Sequence, residues 1–209
     1  MQVPFKISLY DRSRKCAQGL WYDANFDQDL QAKRMVAEEA CFKYNNLRPS
    51  DIEGQQKLLK ELIADFGEEI TILNGFICDY GYNLSIGDHT FINHRMYIMD
   101  SAKVTIGKWC FFGPNCALYC SIHPIIATER NTGLEKAKPI TIGDNVWFGG
   151  NVTVLPGVTI GSNTVIGAGS VVTHDIPSGV VDVGNPCKVL REITEKDVTG
   201  QFTALFKSF

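Results

Sequence analysis

The chain has four histidines, and imidazole is the side chain whose ordinary pKa lies nearest neutrality. His123 is the most suggestive of them, because a positioned imidazole can take a proton from a hydroxyl as a general base. Taken alone, a histidine there reads more readily as a corner residue. Cys116, Cys120 and His123 have a spacing that tempts a metal reading, but a structural zinc takes four ligands and the run offers three. Cys110 and Cys116 each follow an apolar residue (Ile106, Phe112) by four positions, where small apolar side chains belong, and free Cys behaves as a small hydrophobe. His89, His94 and His123 make a second set, which would suit metal-hydroxide chemistry. Ser121 lies two residues before His123, and nothing nearby completes a triad. Gly149 and Gly150 offer unobstructed backbone N–H groups, the usual donors to a developing oxyanion, or simply satisfy tight corners. Trp147 just before them is either a surface aromatic or the wall of a ligand site.

Two differently composed segments must position these groups. Residues 1–70 hold 22 charged residues and 3 glycines, against 15 and 15 in residues 71–190. The first segment reads as helical. Asp27 or Asn25 can cap a helix running to about Asn46, with Leu30, Ala37, Cys41 and Tyr44 on one face. Ser50-x-x-Glu53 is a capping-box pattern ahead of Leu58, Leu59, Leu62, Ile63 and Phe66, closed by Gly67. The second segment repeats every six residues. Ile142, Phe148, Val154, Ile160, Ile166 and Val172 form one series, and Val146, Val152, Val158, Thr164, Ser170 and Ile176 follow four positions later. Asn145, Asn151, Gly157, Asn163, Gly169 and Asp175, three positions on, are types that tolerate positive φ and so predict corners. Ile106, Phe112 and Leu118, with Asn115 at a corner, and Ile86, Ile92 and Ile98 extend the pattern. A hexapeptide period with inward aliphatics is the signature of a parallel β-helix. Three hexads make one turn of a three-sided coil, and the 18-residue stretch from Ile106 ends on His123. There the coil is interrupted by a polar loop, residues 124–139, of a length that is usually functional when it lacks structure of its own.

These residues resemble a known family. Asp79-Tyr-Gly-Tyr-Asn83, Gly113-Pro-Asn115, His123-Pro124, Asn145-Val-Trp-Phe-Gly149, Leu155-Pro-Gly-Val-Thr-Ile-Gly161, Gly167-Ala-Gly-Ser-Val-Val-Thr173 and Gly184-Asn-Pro-Cys-Lys188 are similar to the galactoside/maltose/nodulation-type sugar O-acetyltransferases of the hexapeptide-repeat family. Gly19-Leu-Trp-Tyr-Asp23 and the helices after it match the N-terminal segment of that family. The resemblance spans about residues 15–195. It implies a mainly β fold, a left-handed parallel β-helix (71–190) with an N-terminal helical segment (1–70), a protruding loop and a C-terminal tail (191–209). It also implies a homotrimer that moves an acetyl group from acetyl-CoA to a sugar hydroxyl with no metal.

Residue by residue, the resemblance makes His123 the general base and Gly150 N–H the oxyanion donor. Asp23, Asp79 and Asn93 fall on sugar-contacting positions. Trp147, Gly150 and Ala168 fall on the acetyl-CoA arm, while Thr173, His174, Lys188 and Arg191 could meet its phosphates and adenine. Family members carry Lys or Arg more often at positions 174 and 188, so a solvated basic end is the alternative there. Ser101 stands where galactoside-type members have a second carboxylate after Asp100, which leaves glucosyl, maltosyl or other acceptors open. Arg130 is a candidate lid contact. The rival readings are a trimeric β-helix hydratase of the carbonic anhydrase type and a binding scaffold without catalysis.

Charge narrows the remaining classes. With 20 Lys+Arg against 23 Asp+Glu and a net charge of −3, no basic footprint for nucleic acid is evident. No stretch approaches a membrane span, and Met1–Gly19 lacks the apolar core of a secretory signal. Seven cysteines without a CxxC pair are expected as reduced thiols in the cytoplasm.

Overall fold

The computed structural model describes residues 19–200. The hexad positions do what their period demands: Ile142, Phe148, Val154, Ile160, Ile166 and Val172 are all buried, and so is every member of the series four positions later. Three parallel sheets form the faces of a left-handed prism. The first face stacks Asp65–Phe66, Leu84–Ile86, Val104–Ile106, Ile140–Ile142 and Thr159–Ile160. The second runs from Thr71–Ile72 through Phe91–Ile92, Phe111–Phe112, Trp147–Phe148 and Val165–Ile166 to Val180–Val183, and the antiparallel Lys188–Glu192 strand closes it. Ile77–Cys78, Tyr97–Met99, Ala117–Tyr119, Thr153–Val154 and Val171–Val172 make the third. In-register pairing stacks like on like: the Phe112 and Phe148 rings lie 4.4 Å apart, 6° from parallel.

Corners require left-handed backbone, and Asn145, Asn151, Gly157, Asn163, Gly169 and Asn115 all have positive φ. Asp175 does not; its carboxylate instead accepts the Thr159 N–H at 2.7 Å. Glu69, His89, Arg95 and Trp109 also take positive φ, which costs a residue with a Cβ about 1–2 kcal/mol. They sit three positions after inward residues, so the phase of the coil overrides residue type. Side-chain contacts offset part of that strain: His89 stacks on Trp109 at 4.0 Å and its Nδ1 lies 2.9 Å from Glu69 Oε2.

The helices close the N-terminal end of the prism, where the apolar interior would otherwise face water. Helix α1 (Gln28–Asn45) starts at Asp27, whose carboxylate accepts from the N–H groups of Asp29 and Leu30. It buries Ala37, Cys41 and Tyr44, and the Tyr44 hydroxyl donates to the Ile72 carbonyl. Helix α2 (Ile52–Leu62) is capped by Asp51 accepting from Gly54 N–H at 3.0 Å, and not by Ser50; a carboxylate at that position also complements the helix dipole. Leu59 and Ile63 join Ile70, Ile72 and Phe76 in one continuous core with the coil. Among the described residues no helix is long and apolar enough to cross a membrane.

The 124–139 insertion leaves the corner between the third and first faces, and it is not structureless. It carries a short helix, α3 (Ala127–Arg130), and a Leu134–Ala137 strand. Arg130 donates to the carbonyls of Pro124 and Ile125, at 3.0 and 3.1 Å, so it ties the loop to itself rather than reaching over a ligand. Beneath this corner Asp100 is fully buried and accepts the Tyr80 N–H at 2.8 Å. Burial pushes its carboxyl up to about 6.

Two outcomes follow. Phe148→Ala should lose about 3–5 kcal/mol of stability in urea titrations, as expected for a stacked, fully buried aromatic; a loss below about 1 kcal/mol would contradict the stacked core. Because the folded pKa of Asp100 lies above its unfolded value, the folded state binds the extra proton and stability falls as pH rises. Relative to Asp100→Asn, the wild-type chain should therefore lose stability between about pH 4 and pH 6. A pH-independent difference between the two would rule this out.

Candidate functional site

His123 emerges from the Ser121–Ile122 strand, which pairs antiparallel with Leu134–Ala137. That strand in turn pairs with Tyr22–Asp23 from the N-terminal segment, Tyr22 opposite Glu135 and Asp23 opposite Leu134. A small three-stranded sheet, separate from the prism faces, thus joins segments more than a hundred residues apart. His123 Nδ1 lies 3.0 Å from the Leu134 carbonyl. A carbonyl only accepts, so Nδ1 carries the proton and Nε2 keeps its lone pair. The side chain is 42% exposed, open to a ligand, with its base atom fixed by the hydrogen bond on the far side of the ring.

Glu135, which sequence reasoning did not single out, stands next to the imidazole. Its side chain is only 12% exposed; Oε1 accepts the Tyr22 hydroxyl and Oε2 stands 3.6 Å from His123 Nε2. The one available signal was strand alternation: in Leu134-Glu135-Lys136, residue 135 faces inward while its neighbours do not. Asp23 is exposed on the same small sheet, and its Oδ1 accepts the Phe26 N–H at 2.9 Å. It is pressed against the loop at Gly133, where a Cβ would come within 2.9 Å of that oxygen and φ is +85°. Arg34 of α1 ties this assembly to the coil. Its guanidinium donates to the Ala24 carbonyl and the Tyr80 hydroxyl, both at 2.7 Å, so the segments bearing Asp23 and Asp79 meet.

Asp79 accepts the Tyr97 hydroxyl at 2.7 Å. Burial pushes its carboxyl up, opposed by the Tyr97 hydrogen bond and the Arg34 charge. Ser101, at the position of interest for acceptor choice, is buried, with its Oγ 2.6 Å from Ser121 Oγ. Ser121 therefore belongs to a hydroxyl pair and not to a triad with His123.

A second group of expected residues occupies a different corner, between the second and third faces. Asn93, Gly150 and Ala168 lie there, in the column marked by the positive-φ residues Arg95, Asn115, Asn151 and Gly169. Asn93 Oδ1 accepts the His94 N–H at 2.8 Å. The corner also separates the two glycines. Gly149 N–H is committed to the Ile166 carbonyl and Asn151 N–H to that of Pro114, each at 2.8 Å, whereas Gly150 N–H donates to no acceptor among the described residues. Gly113 keeps that amide approachable, since a Cβ there would lie 2.5 Å from Gly150 N. Trp147 is 57% exposed on the second face, beside the half-exposed Phe111. Within one chain, then, the imidazole and the uncommitted amide stand on different corners.

At the C-terminal end, Thr173 and His174 contact one another (Oγ1 to Nδ1, 3.1 Å) and both are exposed. Lys188 and Arg191 share the exposed Lys188–Glu192 strand. Arg191 makes a bidentate pair with Asp197 at 2.7 and 2.9 Å, which holds the Asp197 carboxyl down at about 2. Its guanidinium fork is thus already engaged.

The histidines of the hydratase reading are not brought together. His89 lies at the corner between the first and second faces, His94 at the next and His123 at the third; His94 Nδ1 donates to the Asn74 carbonyl at 3.1 Å. Among the described residues no group of three or more His, Cys, Asp or Glu side chains is arranged to hold a metal ion. Cys110, Cys116 and Cys120 are all buried in the core.

Comparison with known proteins identifies the family behind this architecture. Residues 15–67 match the maltose acetyltransferase hexapeptide capping motif, and residues 139–174 match the bacterial transferase hexapeptide repeats. A maltose O-acetyltransferase from Clostridium difficile 630 is 41% identical with a TM-score of 0.85, the match covering 88% of this chain and 98% of that one. A galactoside acetyltransferase solved in complex with coenzyme A is 38% identical, also with a TM-score of 0.85, covering 88% of this chain and 92% of its own. The Saccharomyces cerevisiae protein YJL218W, which carries an acetyltransferase name, is 49% identical over 181 residues, 87% of this chain and 92% of its own length. With this coverage and the shared capping motif, the chain belongs to the hexapeptide-repeat acetyltransferases, in the galactoside/maltose/nodulation-type group.

Proposed function

We propose that this acetyltransferase moves the acetyl group of acetyl-CoA to a hydroxyl of a sugar, with His123 as the general base. The observation that carries the reading is the fixed tautomer of His123. Its Nδ1 proton is committed to the Leu134 carbonyl, so Nε2 is a ready acceptor at an exposed position, on the small sheet that also carries Asp23. Nε2 takes the hydroxyl proton as the sugar oxygen attacks the thioester carbonyl carbon. Gly150 N–H donates to the oxyanion that forms there. The carbon–sulfur bond then breaks, and the imidazolium returns its proton to the departing thiolate, leaving an acetyl ester and free CoA. No covalent bond to the protein is needed when both reactants are held together.

Asp23 and Asp79 stand on the His123 side of the prism and bind the sugar. Asn93, Trp147, Gly150 and Ala168 line the other corner and its adjoining face, where Asn93 meets the sugar and the rest hold the acetyl-CoA arm. Thr173, His174 and Lys188 meet its phosphates and adenine, and Arg191 joins them by exchanging Asp197 for phosphate. The separation of the two corners is met by a homotrimer, in which the His123 corner of one chain faces the Gly150 corner of the next. The exposed aromatic pair Phe111 and Trp147 supports a buried use of that face. A closed ring of three suits a three-sided prism, and the cytoplasm supplies the acetyl donor.

Incubating the chain with acetyl-CoA and a panel of maltose, glucosides and galactosides should release free thiol faster than acetyl-CoA alone. No sugar-dependent release across the panel would sink the assignment. His123→Ala should retain the oligomer and lower kcat by at least about 100-fold; near-normal turnover would remove His123 as the base. Asp79→Ala should raise the acceptor KM more than the acetyl-CoA KM, and equal changes would take Asp79 out of the acceptor site.

A further inference from the structure

Glu135 has no role in the reaction just described, yet its placement is unusual. A carboxylate this deeply buried is costly unless its oxygens find donors. One does: Oε1 accepts the Tyr22 hydroxyl. The other, Oε2, faces His123 Nε2 across 3.6 Å, beyond the 2.7–3.2 Å range of a hydrogen bond. Because Nδ1 holds the ring proton against the Leu134 carbonyl, Nε2 of the neutral ring is itself an acceptor. Two acceptors therefore stand side by side with no proton between them. One alcohol cannot serve both, since a hydroxyl has a single proton to donate.

A pair of hydroxyls on one sugar can. Oxygens on neighbouring carbons, or on carbons one apart, are separated by a distance close to that between the two acceptors, so each O–H reaches one of them. We infer that Glu135 is a specificity-determining residue: the acceptor is a diol whose reacting hydroxyl donates to His123 Nε2 while a second hydroxyl, within two carbons of it, donates to Glu135 Oε2. This rests on the acetyl transfer proposed above and narrows its acceptor class. Simple alcohols and acceptors lacking the second hydroxyl are poor substrates, because Oε2 would lose water and gain no donor. Tyr22 is the positioning residue, holding Oε1 so that Oε2 points at the base. The three-stranded sheet sets the spacing, since Tyr22 and Glu135 are direct cross-strand partners.

The test combines substrate and protein changes. Methyl α-D-glucopyranoside, methyl β-D-galactopyranoside and their monodeoxy derivatives are assayed by thiol release from acetyl-CoA, with the acetylated position read by NMR. On the wild-type chain, removing one hydroxyl near the acetylated one should lower kcat/KM by about 10- to 100-fold, the scale of one hydrogen bond to a charged group. In Glu135→Ala that particular loss should shrink to less than about threefold, while losses from other deoxy positions persist; Glu135→Gln, whose amide oxygen still accepts without the charge, should reduce it less far. Deoxy losses that are all undiminished in both variants would overturn the inference, as would a uniform rate loss for every acceptor, which would make Glu135 a stabiliser of the imidazolium instead. The deoxy series on the wild-type chain decides the matter even if the variants fold poorly: equal rates for parent and every deoxy acceptor refute diol recognition. No thiol release with any parent sugar would instead refute acetyl transfer to sugars, and the inference with it.

Discussion

Most sides of the prism end in a corner where one residue enters left-handed backbone space, and that constraint sets the columns on which the candidate groups stand. The corner falls three residues after an inward side chain, whatever the residue type. Asparagine and glycine fill it where they can; Glu69, His89, Arg95 and Trp109 fill it where they must. Rigid repetition turns the sequence into columns. Residues eighteen apart in the uninterrupted turns, such as Asn145 and Asn163, sit one above the other and touch, Nδ2 to Oδ1 at 3.1 Å. The same stacking packs Gly113 against Gly149 and Gly150, and Gly149 against Ala168, along one corner.

The His123 corner breaks that regularity, and the break makes room for chemistry. Where most other corners use one left-handed residue, the chain there extends into the 124–139 loop, which is held by its own strand and by Arg130. The N-terminal Tyr22–Asp23 strand adds to its edge. This small sheet fixes the imidazole from behind through a backbone carbonyl, which cannot ionise. The proton on Nδ1 is therefore held by geometry, through an acceptor that carries no charge of its own. The buried carboxylates nearby are arranged differently from one another. Asp100 accepts backbone N–H groups and is pushed up by burial, Asp79 leans on Tyr97 and Arg34, and Glu135 leans on Tyr22.

Helical capping and the candidate site meet in Arg34. On the surface of α1 it would be an ordinary charge, but its two donors bridge Ala24 and Tyr80. The helices thereby both close the apolar end of the prism and carry Asp23 to the site. A chain with the coil alone would keep His123 but would lose the strand that pairs with its loop.

The hexad period, the inward series, most of the corners and the first helix, with Asp27 one of its two candidate caps, were legible in the sequence, because each depends on residues within one turn of chain. His123 and the two glycines could be singled out as candidates, because what an imidazole or an unobstructed amide can do is a property of residue type. The Ser50 cap was misread in favour of its neighbour Asp51, since two competing oxygens one residue apart are separated only by the direction the chain enters the helix. The loop looked structureless because its strand finds its partners in Ser121–Ile122 and in Tyr22–Asp23, the latter 113 residues away at the Tyr22–Glu135 contact. Local pattern determined what this chain could build and which groups could react. Only the tertiary structure decided which nitrogen of His123 is bare, which glycine amide is uncommitted and which carboxylate stands beside the base, because each of those is fixed by a hydrogen bond between segments that no repeat period relates.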